Sequence, residues 1–216
     1  MTTSAQSIIL RAHDALQDDG GVRWPATELV RYLNDGQREI VRLRPDQKAT
    51  TTTVTLASGY RHTLPDSVAT LIDIPNNMTG RHRRITKVDL YQLDAVLPDW
   101  RSRTPNVEVI HFMHELREPR VFHTFPPTNN AQIAMVHSVY PVDVPAPTGP
   151  AFTHVTGDID LSDSWAEALL NFVLFRAYSK DAEFGGNAQM AASYLALFNA
   201  AVGSQLQSTA TVAPQT

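Results

Sequence analysis

The chain has 216 residues, of which 43% are hydrophobic and 19% are charged, proportions typical of a folded globular protein. It contains no cysteine, which excludes disulfide bonds, thiol nucleophiles and thiolate metal sites. The net charge of −4 lacks the basic excess of general nucleic-acid binders. No apolar run approaches the length of a membrane span, and the N-terminus lacks the features of a signal peptide. We therefore expect cytoplasmic synthesis and no membrane partner.

Two helices are predicted near the N-terminus. The segment Ser4–Leu16 places its apolar residues on one face, and the Ser4 side chain is suited to cap its start. A second, amphipathic helix spans Trp24–Pro45, where Pro25 suits a first helical position and Pro45 stops the helix. Its apolar residues follow helical spacing and must be buried: Leu29, Val30, Leu33, Ile40 and Val41.

The other face of this second helix is polar. It carries Arg31, Asn34, Asp35, Arg38, Glu39 and Arg42. Pairs of opposite charges three and four residues apart stabilise a helix by a few tenths of a kcal/mol each, so we interpret them as structural and not catalytic. Gly36 interrupts the helix at a cost of about 1 kcal/mol relative to alanine. We interpret it as a site of close helix packing, within the chain or between subunits.

From Ala49 the pattern changes to short strands. Predicted strands cover 50–56, 60–64, 68–74, 83–88, 106–114, 120–125 and 131–140, with a short helix at 89–96 and a loop at 98–105. The turn at Ser58-Gly59 suggests that the first two strands form a hairpin. Short strands at this spacing favour a small antiparallel sandwich or open barrel.

Helical spacing returns after the proline-rich stretch Pro141–Pro150, which we interpret as a semi-rigid linker. Ser164 and Glu167 predict a capping box at the start of a helix with a broad apolar face. Gly185-Gly186 separates it from a last helix that Gly203 is placed to end. The remaining segment, 204–216, is small and polar and predicts a flexible tail.

The predicted fold class is therefore α+β. A discontinuous helical bundle is built from both ends of the chain, 1–48 and 150–203, because the opening helix needs its apolar stripe covered and only the closing helices offer comparable faces. An antiparallel β domain with its linker, 49–149, is inserted between them. The segment 204–216 forms a flexible C-terminal tail.

Candidate sites for chemistry are weak. Four histidines, His111, His114, His123 and His137, lie in predicted strands, but the strand period places His111 and His114 on opposite faces, and no cysteine or carboxylate pattern completes a metal site. Asp158, Asp160 and Asp163 have no glycine turn and no glutamate at the spacing that a calcium loop requires, and they suit a helix start. No serine sits in a nucleophile motif, and no glycine-rich loop cradles phosphate. We predict no catalytic, cofactor or metal site.

Two segments resemble a known family. The helix that begins at Trp24, WPATELVRYLNDGQREIVRLRP, and the segment Ala177–Phe198, AYSKDAEFGGNAQMAASYLALF, resemble the opening and closing helices of the head-to-tail adaptor (connector) proteins of tailed, especially short-tailed, bacteriophages. The resemblance covers both ends of the chain. In the middle, only the position of the β region agrees.

This resemblance implies a structural virion protein of the neck, made in the host cytoplasm. It would form a dodecameric ring between the portal protein and the tail tube or nozzle proteins, around the DNA channel. The implied contacts with neighbouring subunits or the portal are the charged helix faces and the tail: Arg31, Asp35, Arg38, Arg42, Lys180, Gln205 and Leu206. The basic run Arg81, Arg83 and Arg84 is a candidate contact to passing DNA, without sequence specificity, or to a neighbour, although a solvated loop at a strand start is the simpler explanation.

Two alternatives stay open. The β region is a carbohydrate- or protein-binding module in one of them, with the helices as a stalk, although its aromatic residues show no clear cluster. The other alternative is an enzyme such as a nuclease or hydrolase, for which the sequence nominates no catalytic residue.

Overall fold

The computed structural model describes residues 3–180 and 185–212, and it describes side chains as far as residue 203. The chain forms two compact units, which we call the helical unit and the β unit. The helical unit comprises Met1–Gln47 and Pro141–Thr216, and the β unit comprises Lys48–Tyr140. Within the described residues no helix has both the length and the apolar character needed to cross a membrane.

The helices of the chain follow the predicted pattern with shifted ends. They are α1 (Ala5–Leu16), α2 (Ala26–Leu43), α3 (Leu90–Val96), α4 (Ala166–Lys180) and α5 (Asn187–Val212). The apolar stripe of α2 is buried as predicted, with Leu29, Leu33 and Ile40 fully enclosed. The buried core of the helical unit takes side chains from α1, α2, α4 and α5.

Gly36 lies where α2 packs directly on α4. A Cβ atom at this position would lie 3.0 Å from Cδ1 of Phe172 and 3.1 Å from Cδ2 of Leu169. Both of these α4 side chains are buried. The glycine therefore serves close packing within the chain, which offsets its cost to the helix.

Two predicted helix caps do not form as hydrogen bonds. Ser4 precedes α1, but its side chain makes no capping hydrogen bond. The capping box at Ser164 does not form: a 3-10 turn, Asp163–Trp165, precedes α4, and Ser162 accepts the hydrogen bond from the Ser164 N–H. Glu167 is instead paired with Arg11 of α1. The sequence pattern thus indicates where α4 starts, but its glutamate forms an ion pair with another helix and does not cap its own.

Gly203 does not end the last helix, because α5 continues to Val212. The helical backbone therefore occupies most of the segment 204–216, for which the sequence predicts a flexible tail. The last four residues of that tail, 213–216, lie outside the described residues.

The β unit contains two sheets. Its strands are β1 (Ala49–Thr55), β2 (Gly59–Thr63), β3 (Val68–Asp73), β4 (Thr86–Lys87), β5 (His111–His114), β6 (Val121–Thr128) and β7 (Gln132–Val139). One sheet has the order β1-β7-β3 and the other has the order β2-β6-β5-β4. This confirms the α+β class, and the sheets do not close into a barrel.

The predicted hairpin between the first two strands is wrong. β1 pairs antiparallel with β7, and β2 pairs antiparallel with β6, so the turn at Ser58-Gly59 carries the chain from one sheet to the other. The pairing of β4 with β5 is parallel, which departs from the expected antiparallel pattern. The buried core of the β unit takes side chains from both sheets, including Leu71 of β3, Ile133 of β7 and Phe122 of β6. Burial of side chains from both sheets thus decides the strand pairing, although the local turn favours a hairpin.

Candidate functional site

The outward face of α2 is the surface on which the candidate contact residues meet. Arg31, Arg38 and Arg42 are exposed along this helix, whose 18 residues extend about 27 Å. The arrangement follows from the sequence, because the apolar stripe of the same helix is turned into the core. The structure therefore presents a row of cations on a rigid element.

Two of these cations are held by neighbouring acids. The Arg38 guanidinium pairs with Asp143, and with Asp35 at 3.4 Å one turn earlier on α2. Arg42 makes two hydrogen bonds to the carboxylate of Glu39, at 2.6 and 2.8 Å, which lower the pKa of Glu39. These ion pairs fix the side chains in place but reduce the net charge that they offer to a partner.

Lys180, at the end of α4, lies against the start of α2. Its ammonium donates to Glu28 at 2.7 Å and to the backbone carbonyl of Arg23 at 2.8 Å. Burial raises the pKa of Glu28, but hydrogen bonds from Lys180 and Tyr32 outweigh this effect, and the net pKa is lowered. Burial and the hydrogen bond to Glu28 raise the pKa of Tyr32 to about 12. Lys180 thus connects two helices of the chain.

Arg31 differs from the other candidates. It is exposed, and within the described part of the chain no acceptor or carboxylate forms a hydrogen bond or ion pair with its side chain. It lies between Glu28 and Asp35 on the helix, each of which has a cationic partner of its own. The Arg31 charge contributes to the lowered pKa of Glu28, but the side chain is available to a partner without breaking a described hydrogen bond or ion pair.

Two polar residues of α2 are buried. The sequence pattern places Asn34 on the solvent face, but it is 8% exposed, and Gln37 is fully buried. Asn34 exchanges two hydrogen bonds with the backbone of Val144, and the Gln37 side chain accepts one from the N–H of Asp160 at 2.7 Å. The stretch Pro141–Pro150, for which the sequence predicts a semi-rigid linker, therefore packs onto the helical unit, because Val144 is buried in its core. A polar pair three residues apart beside the apolar stripe is the signal that could have revealed this contact.

The basic run occupies a turn between β3 and β4. Arg81, Arg83 and Arg84 are all exposed. Gly80 has a φ of +66°, and a Cβ atom there would collide with the Glu108 carboxylate, which accepts a hydrogen bond from the Arg81 N–H. The turn is thus held by its backbone, and the guanidinium groups extend into solvent.

The histidines pack within the β unit in different ways. His111 stacks on Phe125 at 6.1 Å, His123 stacks on Tyr60 at 6.0 Å, and His137 is buried. The His114 ring lies 3.1 Å from the carbonyl oxygen of Pro119. Across residues 3–180 and 185–203, no three His, Asp or Glu side chains come close enough together to hold a metal ion.

The predicted acidic group at the start of α4 has structural partners. Asp160 accepts a hydrogen bond from the Val142 N–H at 2.7 Å, and Asp163 accepts one from the Thr3 hydroxyl at 2.8 Å. These bonds tie the segment before α4 to the rest of the helical unit.

The aromatic residues of the β unit serve its core. Trp100 is fully buried, its indole N–H donates to Asp94 at 2.7 Å, and Arg101 covers its ring at 4.5 Å from the centroid. Phe112 and Phe122 are buried as well. Tyr91 is exposed, at 62%. These residues do not form the open aromatic platform that a carbohydrate-binding module uses.

Gln205 and Leu206 are the remaining candidates. Both fall in the helical backbone of α5, but their side chains lie outside the described residues.

Comparison with known protein families identifies the family of this chain. A search among curated proteins finds no match. The profile of the SU10 adaptor protein family matches residues 3–216, which is almost the whole chain and includes both units. This extent agrees with the resemblance of the terminal helices to phage adaptors and extends it through the β region. The chain belongs to the SU10 adaptor protein family, and its role is that of a structural adaptor of the bacteriophage neck.

Proposed function

We propose that this protein assembles into a ring between the portal and the tail proteins of a bacteriophage, around the channel through which DNA passes. The match of the adaptor family over both units is the observation that carries this proposal. The resemblance of the terminal helices to head-to-tail adaptors of short-tailed phages adds the dodecameric ring, the portal and the tail nozzle as expected partners.

The outward face of α2 supports a role in subunit or portal contact. A ring subunit needs a rigid surface with directional polar groups, because charged groups set orientation and partner choice more than they set affinity. Arg31 supplies an available cation on this face, and the paired residues Arg38 and Arg42 supply fixed polar neighbours. We therefore place the contact at α2, with Lys180 at its edge.

The basic turn supports contact with DNA. Exposed guanidinium groups bind phosphates without reading sequence, which suits a channel through which a whole genome moves. The chain as a whole is acidic, with a net charge of −4, so tight binding along its surface is disfavoured. Arg81, Arg83 and Arg84 then line the channel or contact the neighbouring subunit.

A portal-binding measurement tests this proposal. The purified protein is mixed with the portal of the same phage, and the complex is measured by mass photometry and imaged by electron microscopy. We expect a ring of adaptor subunits on the portal. The Arg31→Gln variant should bind more weakly. The control variant Arg117→Gln removes an exposed guanidinium from the β unit instead and should bind like the wild type. Failure of the wild type to join the portal at any ratio would overturn the proposal.

The DNA contact has a separate test. In the assembled complex, replacement of Arg81, Arg83 and Arg84 by glutamine should leave the ring intact and weaken its retention of double-stranded DNA of random sequence, most clearly at low salt. Unchanged retention at every salt concentration would remove the basic turn from the channel.

A further inference from the structure

β1 is an edge strand with an unusual surface. It is the outer strand of the sheet β1-β7-β3, and it pairs with β7 alone among the described strands. Six of its seven residues are exposed, and Val54 is half-buried. Both of its faces and one of its backbone edges are therefore accessible.

The pairing with β7 shows which backbone groups are free. The Leu56 N–H donates to the Ala131 carbonyl at 2.8 Å, in continuation of the β1-β7 register. In an antiparallel pair, alternate residues direct both backbone groups to the same neighbour. The groups of residues 50, 52, 54 and 56 therefore point to β7. Those of Thr51, Thr53 and Thr55 point away from it, to the open edge.

The other sheet edges carry features that block pairing, and β1 does not. β2 and β3 each have register shifts against their partners, and β4 has two residues. Bulges, short length, lysine and proline are the usual means by which proteins protect an edge strand. β1 has seven consecutive register pairs without a shift, and its sequence, ATTTTVT, contains no charge and no proline.

We propose that the open edge of β1 pairs antiparallel with β1 of a second copy of this chain, about a two-fold axis at Thr53. In this register Thr53 lies opposite Thr53 of the other copy, and Thr51 lies opposite Thr55. Thr51, Thr53 and Thr55 of each copy then form about six backbone hydrogen bonds. The facing side chains are threonine and valine, which combine well across strands, and no like charges meet.

Two antiparallel copies of β1 thus place only threonine and valine opposite one another. For this reason we choose a second copy of the chain as the partner. A charged partner strand would gain no ion pair here, because β1 offers none. An interface of a single strand pair is small, so we expect a weak, concentration-dependent dimer of the free protein. Neighbours in a ring are related by rotation about the ring axis and not by a two-fold axis between them. The dimer therefore belongs to the protein before assembly, and the proposal does not depend on the ring.

Sedimentation equilibrium of the full chain tests the pairing. The wild type should shift from monomer to dimer as concentration rises. Thr53→Lys and Thr53→Glu each place like charges opposite one another and should weaken dimerisation by about fivefold. An equimolar mixture of the two variants should regain it, because lysine then faces glutamate. Thr63→Lys, on an exposed position of β2, adds the same charge elsewhere and should dimerise like the wild type.

Hydrogen exchange gives an independent measure. The amides of Thr51, Thr53 and Thr55 should exchange quickly in dilute protein and more slowly at high concentration. A wild type that remains monomeric at all concentrations would overturn the proposal, as would Lys and Glu variants that self-associate like the wild type. Protection of these amides by another phage protein alone would also overturn it, in favour of a different partner strand.

Discussion

Asn34 of α2 and Val144 exchange two hydrogen bonds: the amide of Asn34 donates to the Val144 carbonyl at 3.0 Å, and its side-chain oxygen accepts from the Val144 N–H at 2.9 Å. Both residues are buried. One side chain thus satisfies both backbone groups of a residue more than a hundred positions away, and it anchors the returning chain to the opening helix.

Asn34→Ala should therefore destabilise the helical unit by about 2 to 4 kcal/mol, because two buried backbone groups lose their partners. Urea unfolding followed by fluorine NMR of 5-fluorotryptophan measures this selectively, since Trp24 and Trp165 lie in the helical unit and Trp100 lies in the β unit. Asn199→Ala, at an exposed position of α5, should change stability by less than about 0.5 kcal/mol. Equal effects of the two variants would contradict a role for Asn34 in anchoring the chain.

Gly36→Ala should destabilise the helical unit by about 1 to 2 kcal/mol, although alanine is the better helix former. The new methyl group meets Phe172 and Leu169 at about 3 Å, so overpacking exceeds the gain of about 1 kcal/mol in helix propensity. In a Leu169→Ala background the same substitution should destabilise less, because only the close contact with Phe172 remains. A double-mutant cycle with the tryptophan signals measures this coupling, and additive effects would show that the contact does not decide the outcome.

His62 should make the β unit less stable as the pH falls from about 6.5 to 4. Burial is the main cause that lowers its pKa to about 4, so in this interval the unfolded chain binds a proton that the folded chain does not. Above pH 6.5 neither state of His62 is protonated, and the free energy of unfolding of the β unit is unaffected. Below pH 6.5 that free energy falls by up to about 1.4 kcal/mol per pH unit. His62→Gln should reduce this slope as measured by the Trp100 signal. Thr63→Ala, at the next residue, should keep it, and an unchanged slope in His62→Gln would assign the acid sensitivity to other groups.

Lys180→Met should destabilise the helical unit by less than about 1 kcal/mol at pH 7, because its ion pair with Glu28 is partly exposed to solvent. The pKa of Glu28 is lowered in the folded protein, so the stability from this pair is present above pH 4.5 and is lost as the pH falls through the folded pKa. The difference between wild type and variant should thus shrink at pH 3. Urea midpoints at pH 7 and pH 3 measure it, and a constant difference would assign the effect to packing of the lysine stem.

Patterns within single elements were predictable because they depend on neighbours in sequence. The apolar stripe of α2 has helical spacing, and a helix with such a stripe must bury it, so its exposed face and the candidate Arg31 followed without a structure. The turn residues at the ends of the strands were equally local. These features, with the resemblance of the terminal helices, were enough to identify the α+β class and the adaptor family.

The tertiary structure alone decided which distant groups meet. The pairing of β1 with β7 and of β2 with β6 depends on burial of both sheets, so a local turn at Ser58-Gly59 could not reveal it. Asn34 has the polarity of a surface residue, and only the path of the chain near Val144 makes it a buried anchor. The sequence by itself determined the apolar stripe of α2, the α+β class and the adaptor family. The fold decided which strands pair and which polar side chains are buried, because hydrogen bonds between distant segments produce no periodic pattern in the sequence.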